Sequence, residues 1–292
     1  MNSIFLIAEI GQAHEGSLGI AHSYIDALAE TGVNAIKFQT HIAHAESSMH
    51  EPFRVKFSYE DDTRYDYWKR MEFTPDQWAG LKQHCEEKRL EFISSPFSNA
   101  AVDVLEQLGV QKYKIGSGEV SNFLMLEKIA RIGKDILLSS GMSSFSELDA
   151  TIDFLRPFGN QLSVLQCTTA YPTQPEEWGL NVIPELKKRY NVPVGFSDQS
   201  GDIFAGLAAV AIGATILEFH VVFDKRMFGP DAPASLTIEQ TKQLARGVRQ
   251  LEKALSASIN KEDNERFQPL KAIFEKSLAV NKNLKKGHQL RL

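Results

Sequence analysis

The chain has 292 residues and a formal net charge of −5, with a sequence pI near 5.9, so it carries no basic footprint for nucleic acid or an anionic membrane, and any anion it binds must meet locally placed cations. Its length suits one large single-core domain, and its only cysteines, Cys85 and Cys167, are too far apart to suggest a disulfide framework or a cysteine metal cluster. The apolar opening is too short to span a bilayer, lacks a basic leader and runs straight into strand-like residues, which points to a cytosolic protein.

Eight short segments rich in β-branched and aromatic residues recur between longer amphipathic stretches, the pattern of parallel strands joined by crossover helices. The first, IFLIAEI from Ile4, contains Glu9 and leads into GQAHEGS, where His14 is either a loop histidine or a mouth residue. The second, NAIKFQT from Asn34, carries Lys37 and Gln39. The connection from His41 to Met71 is longer than an ordinary βα loop and holds the acidic aromatic run FSYEDDTRYDYW, which reads as a lid or a subunit contact. A helix starts at Thr74, with Pro75 at its first position and Gln77 completing a capping box.

Strand three is LEFISSPF from Leu90, with Ser95, and strand four is KYKIGSGE from Lys112, with Lys114, Ser117 and Glu119. The glycines flanking Ser117 allow a backbone to approach a ligand closely; the same residues read equally as a turn, with Ser121 as a helix N-cap and Glu119 favourable beside that helix N-terminus. Strand five, DILLSSG from Asp135, ends at Ser139, whose hydroxyl either binds phosphate or satisfies the turn, before a second capping box at Ser144 and Glu147. Strand six is LSVLQCT from Leu162, ending at Thr168, and strand seven is VPVGFSD from Val192, ending at Ser197. Strand eight, TILEFHVVF from Thr215, carries Glu218 and His220, and the rigid loop MFGPDAPAS after it presents Asp231. A helix from Thr237 to about Ala257, boxed by Gln240, closes the series.

Eight such units predict an α/β fold, a (β/α)8 TIM barrel with a short C-terminal extension. In that fold the strand C-termini form one catalytic mouth, which gathers Glu9, Lys37, Ser95, Lys114, Ser139, Thr168, Ser197, Glu218 and His220. Residues two apart share a side of a strand, so Lys37 and Gln39, Glu218 and His220, and Ser197 and Gln199 face inward, while Phe38, Phe196 and Phe219 face the helices. Buried charges of both signs require either a mutual ion network or a charged ligand. Glu218, His220 and Asp231 could hold a hard divalent cation, although a lone inward histidine is as often simply hydrogen-bonded. His22, His41, His44, His50, His84 and His288 offer no site rationale.

The strings EIGQAHEGS, KFQT, FISSPFS, YKIGSGE, LSSGM, TTAYPT, GFSD, EFH and GPD, in this order over essentially the whole chain, resemble the sialic acid synthase family, the N-acetylneuraminate synthases and their legionaminate and pseudaminate relatives. The resemblance implies a transferase that condenses phosphoenolpyruvate with the open-chain aldehyde of an N-acyl hexosamine such as N-acetylmannosamine, releasing phosphate and a nine-carbon 2-keto acid. Carried over by position, it puts Lys37, Ser95 and Lys114 at the phosphoenolpyruvate carboxylate, and Lys114, Ser117, Ser139 and Ser197 around its phosphate. Glu9, Glu119, Glu218 and Asp231 would surround the reacting carbons, and Gln39 and Tyr171 would contact the sugar. It also implies a divalent metal, Mn²⁺ or Mg²⁺, with His220 as one ligand, and a homodimer.

Where the family has a second metal histidine this chain has Gln199; Ala13 replaces the usual asparagine before His14, and Thr169 stands where many relatives have an asparagine or serine. The run KSLAVNKNLKKGHQLRL resembles the beginning of the family's C-terminal antifreeze-like domain. The expected organisation is a catalytic domain over 1–258 and, over 259–292, a linker and the start of a truncated antifreeze-like domain. In relatives that domain supplies an arginine to the partner's sugar pocket; no residue here matches it, and Arg291 does not take the role. Two further readings stand beside the synthase: a Schiff-base aldolase using Lys114, and a noncatalytic subunit.

Overall fold

In the computed structural model, which describes residues 3–55 and 59–289, all eight segments form strands: β1 (Phe5–Gly11), β2 (Ala35–Thr40), β3 (Glu91–Pro96), β4 (Lys112–Ile115), β5 (Asp135–Ser139), β6 (Leu162–Cys167), β7 (Val194–Asp198) and β8 (Ile216–Val222). Each pairs in parallel with its sequence neighbours, and β8 returns to β1, so the sheet closes into a (β/α)8 TIM barrel. The fourth strand is shorter than its apolar run suggests, because GSGE turns into a 3-10 helix at Ser117–Glu119. A two-residue strand, β9 (Leu236–Thr237), pairs with the end of β8 and has no apolar run to announce it.

The helices are α1 (Leu18–Ala29), α2 (Ala43–Glu46), α3 (Arg64–Met71), α4 (Pro75–Glu87), α5 (Asn99–Gln107), α6 (Phe123–Ile132), α7 (Phe145–Leu155), α8 (Val182–Tyr190), α9 (Ile203–Ala211), α10 (Ile238–Ser256) and α11 (Gln268–Phe274). Thr74 with Gln77, and Ser144 with Glu147, form reciprocal capping boxes, and Thr237 and Gln240 exchange the same two hydrogen bonds. Asn122 rather than Ser121 caps α6, its Oδ1 accepting from the Met125 amide. The extra residue lets Ser121 complete the turn that follows Glu119. The chain divides into two compact units, Met1–Leu255 and Ser256–Leu292. The first is the barrel with its helices; the second holds a 3-10 turn at Glu265–Phe267 and α11.

Strand alternation sorts the side chains into two cores. Phe38, Phe92, Phe196, Leu217 and Phe219 point outward and pack beneath the helices; burying a side chain such as Phe38 contributes about 1.5–3 kcal/mol. Ile7, Ala35, Ile93, Leu137, Leu165 and Ile216 point inward and form a separate apolar plug on the barrel axis. Gly195 completes that layer, because a Cβ there would lie 2.7 Å from the Ile216 carbonyl oxygen. The plug seals one end of the barrel and leaves the other to the polar residues two positions further along each strand.

Candidate active site

Two residues beyond the plug, the eight strands present Glu9, Lys37, Ser95, Lys114, Ser139, Cys167, Ser197 and Glu218, all buried. The next inward positions, including Gln39, Gly116, Thr169, Gln199 and His220, line the same cavity of about 410 Å³. A barrel core of branched apolar side chains thus gives way, one layer up, to charge.

Lys37 Nζ lies 2.6 Å from Glu9 Oε1 and 3.7 Å from Glu218 Oε2, and Lys114 Nζ lies 3.4 Å from Glu218 Oε1. Ser197 Oγ donates to Glu218 Oε1 at 2.9 Å, and Lys37 Nζ donates to Ser95 Oγ at 3.4 Å. Burial works against the ionised form of Glu9, but His220, Lys37, Lys114 and a hydrogen bond from Gln39 outweigh it and hold the carboxyl down at about 2. Burial likewise opposes the Lys37 ammonium, and Glu218 and Glu9 more than compensate, so its pKa is raised. The two groups are a stable ion pair. Glu119 differs: burial pushes its carboxyl above the usual range despite a hydrogen bond from Asn122 Nδ2, and Glu46 adds to the rise.

Three buried atoms facing this cavity have no hydrogen-bond partner: Ser139 Oγ, Gln199 Oε1 and Glu218 Oε2. Leaving a buried polar atom unsatisfied costs about 1–3 kcal/mol, so their convergence on one space is the signature of a ligand site rather than of a finished core. Gly141 belongs to the same construction. Its amide donates to Ser117 Oγ at 3.0 Å, and a Cβ there would lie 2.5 Å from Thr169 Oγ1 and 2.6 Å from Ser117 Oγ.

Fourteen of the side chains named from the sequence line the cavity: Glu9, Lys37, Gln39, Ser95, Lys114, Ser117, Glu119, Ser139, Tyr171, Ser197, Gln199, Glu218, His220 and Asp231. Thr168 does not, since its hydroxyl turns away to donate to the Glu177 carbonyl; Cys167 and Thr169, the inward positions on either side, take its place. His14 is a loop histidine. It is buried against Phe73 with ring centroids 4.8 Å apart, and its Nδ1 accepts from the Gly16 amide.

The long connection after β2 supplies what residue-by-residue reading missed. Its His41, which continues the inward series Lys37, Gln39, lines the cavity beside Glu46, Trp68 and Arg54. Arg54 pairs with Asp231 at 2.5 Å and lies 4.1 Å over the Tyr171 ring. Among the described residues, the run FSYEDDTRYDYW reaches the site through α3, by Arg64, Tyr67 and Trp68; Phe57 and Ser58 at its start lie outside the described residues.

Among the described residues no three His, Cys, Asp or Glu side chains are grouped to hold a metal. Beside Glu9 stands an imidazole, His220 with Nε2 3.4 Å from Glu9 Oε2, and the same cavity is lined by Gln199, whose amide oxygen has no hydrogen-bond partner. An imidazole, an amide oxygen and a carboxylate fit a hard divalent cation that keeps several waters.

The NeuB family matches residues 24–260. The N,N'-diacetyllegionaminic acid synthase of Campylobacter jejuni is 34% identical, over 98% of this chain and 87% of its own length. The human N-acetylneuraminate-9-phosphate synthase is 35% identical, over 97% of this chain and 77% of its own. Among solved structures, the N-acetylneuraminic acid synthetase of Leptospira borgpetersenii, crystallised with citrate, superposes with a TM-score of 0.81 at 28% identity, covering 94% of each chain.

Proposed function

The chain belongs to the NeuB family of nonulosonic acid synthases, and on that premise we propose that it is a transferase condensing phosphoenolpyruvate with the aldehyde of an N-acyl hexosamine to give a nine-carbon 2-keto acid and phosphate. The observation that carries the reading is the pair of buried ammonium groups, Lys37 and Lys114, set beside the Ser139 hydroxyl and the Gln199 amide oxygen, both without a hydrogen-bond partner. A trianion such as phosphoenolpyruvate competes with Glu9 and Glu218 for those ammonium groups and meets the free hydroxyl of Ser139. Its carboxylate would sit at Lys37, Ser95 and Lys114, and its phosphate at Lys114, Ser117, Ser139 and Ser197.

In the reaction, C3 of phosphoenolpyruvate bonds to the aldehyde carbon and the aldehyde oxygen takes a proton. Positive charge develops at C2, and water adds there and loses one proton. As the C2–O bond to the phosphate breaks, the phosphate departs with its bridging oxygen and takes up the second proton from the C2 hydroxyl, leaving the 2-keto group. Glu119, whose carboxyl burial pushes above the usual range, suits donation to the aldehyde oxygen. Glu9, fixed as an anion, and Glu218 suit stabilisation of the charge at C2, with Asp231 at the sugar end. Gln39 and Tyr171 would position the acceptor. Mn²⁺ or Mg²⁺, held by His220 and Gln199, would polarise the aldehyde. Lys37 and Lys114 act as charges and not as nucleophiles, because each is ion-paired with a carboxylate.

The relatives differ in product, N,N'-diacetyllegionaminate in one and N-acetylneuraminate 9-phosphate in another. The deciding experiment is therefore phosphate release from phosphoenolpyruvate with N-acetylmannosamine, its 6-phosphate and 2,4-diacetamido-trideoxyhexoses, across a metal series, with Lys114→Ala as control. Sugar-dependent release that vanishes in the control is expected, with one sugar class preferred. No release above a metal-free blank with any sugar would end the proposal.

A further inference from the structure

We infer that His41 is a positioning residue that locks the Gln39 amide, so that Gln39 meets the sugar acceptor only as an N–H donor; the acceptor half of this inference rests on the function proposed above. The His41 ring lies parallel between Trp68 and Phe97, at 3.9 Å and 11° from one and 4.5 Å and 10° from the other. That sandwich fixes the ring plane. His41 Nδ1 is 2.6 Å from Glu46 Oε1, and a carboxylate can only accept, so Nδ1 carries the proton. Glu46 Oε2 also accepts from the Ile42 amide, at 3.2 Å, which holds the carboxylate in place.

The unprotonated Nε2 faces Gln12 Nε2 at 3.0 Å. An amide nitrogen can only donate, so this contact agrees with the Nδ1–H form. His41 Nε2 also lies 3.2 Å from Gln39 Oε1, so it is the Glu46 carboxylate that sets the tautomer, and the Gln39 carbonyl is engaged from the His41–Gln12 side in either case. Gln12 Nε2 also donates to Gln39 Oε1. With its carbonyl oxygen thus occupied, Gln39 has no freedom to flip, and its nitrogen donates to Glu9 Oε1 at 2.7 Å. The remaining N–H of Gln39 is the hydrogen-bonding atom left for a ligand in the cavity. The acceptor group placed there is then a carbonyl or hydroxyl oxygen, not a donor-only group. Direction passes from Glu46 through His41, Gln12 and Gln39 to Glu9, and the side chains that set it are buried away from competing water.

Two measurements test this. Side-chain ¹⁵N correlation spectra of histidine-labelled protein, assigned by the His41→Phe variant, should show His41 as the Nδ1–H tautomer; an Nε2–H tautomer overturns the inference whether or not the protein turns over. In kinetics, His41→Phe keeps the aromatic sandwich but removes the ring nitrogen that holds the Gln12 amide, leaving it only its bond to Gln39, and Glu46→Gln lets an amide N–H face Nδ1 and releases the tautomer. Both should raise the acceptor KM about tenfold or more, leave the phosphoenolpyruvate KM within about twofold, and keep the melting temperature near that of the parent protein. An unchanged acceptor KM, or equal losses for both substrates, overturns the positioning role. A parent protein with no sugar-dependent phosphate release defeats the function proposed above and the acceptor half with it, while the tautomer result still decides the network.

Discussion

Lys114 on β4 and Glu218 on β8 stand half a barrel apart in strand order, yet their side chains meet at 3.4 Å on the axis above the apolar plug. Each is almost fully buried, so the pair contributes little net stability but is damaging to break, by about 3–5 kcal/mol when one partner is left alone. Lys114→Met should therefore lose phosphate-releasing activity by about 10³-fold or more and unfold at lower denaturant. Adding Glu218→Gln should restore most of the stability and none of the activity. Denaturant titration beside the phosphate assay checks this; a double variant as unstable as the single one would show that the pair is not what couples the two effects.

Gly141 is where backbone geometry limits the site. An alanine Cβ would collide with Thr169 Oγ1 and Ser117 Oγ, so both of these cavity-lining side chains would have to move. Gly141→Ala should keep its melting temperature within a few degrees and raise the phosphoenolpyruvate KM about tenfold or more. Thr169→Ala in the same chain should recover part of the loss. Equal phosphoenolpyruvate KM values in Gly141→Ala and the parent protein would remove Gly141 from the phosphate end.

How far the sequence could be read follows from which forces are local. Strand alternation is set by backbone geometry, so the inward pairs Lys37 and Gln39, Glu218 and His220, and Ser197 and Gln199 followed from spacing two apart, together with the outward Phe38, Phe196 and Phe219. Thr168 failed by the same rule, which assigns the inward places to Cys167 and Thr169. The helix boxes at Thr74 and Ser144 were legible because capping is settled within four residues. Arg54 and His41 were not. Arg54 reaches the mouth from an irregular connection with no period, and its meaning comes from Asp231 and Tyr171, more than a hundred residues on. His41 could have been found by extending the inward series of β2 one step past the strand end. Lone histidines are usually satisfied structurally, as His14 is, and that prior concealed it.

His14 carries a pH prediction. Burial, reinforced by His41 and Arg70, pushes its pKa down from 6.5 to about 3. The folded protein thus keeps His14 neutral while the unfolded chain takes up a proton, so between about pH 6.5 and 3 the unfolded state binds more protons and folding stability falls with pH. One proton corresponds to about 1.4 kcal/mol per pH unit. In urea titrations between pH 7.5 and 4.5, His14→Asn should lose stability less steeply than the parent protein, by up to one proton's worth of slope. Parallel slopes would mean that other groups carry the acid sensitivity.

Arg54 spans the cavity at the end proposed for the acceptor. Its guanidinium is held by Asp231 on one side and by the face of Tyr171 on the other, which ties the connection after β2 to the loops after β6 and β8 across the cavity mouth. The pair is partly exposed, 46% on the arginine side, so it contributes only about 0–1 kcal/mol to stability. A conserved fold with a changed pocket is then the expected result of removing it. Arg54→Ala should leave the melting temperature and the phosphoenolpyruvate KM near those of the parent protein and raise the acceptor KM about tenfold, because Asp231 and Tyr171 lose the group that orients both toward the sugar. Arg54→Lys keeps the charge but not the planar contact with Tyr171, and should fall between the two. If Arg54→Ala binds the sugar as well as the parent protein does, the mouth is set by Asp231 and Tyr171 alone, and the arginine is a strap between loops with no part in recognition.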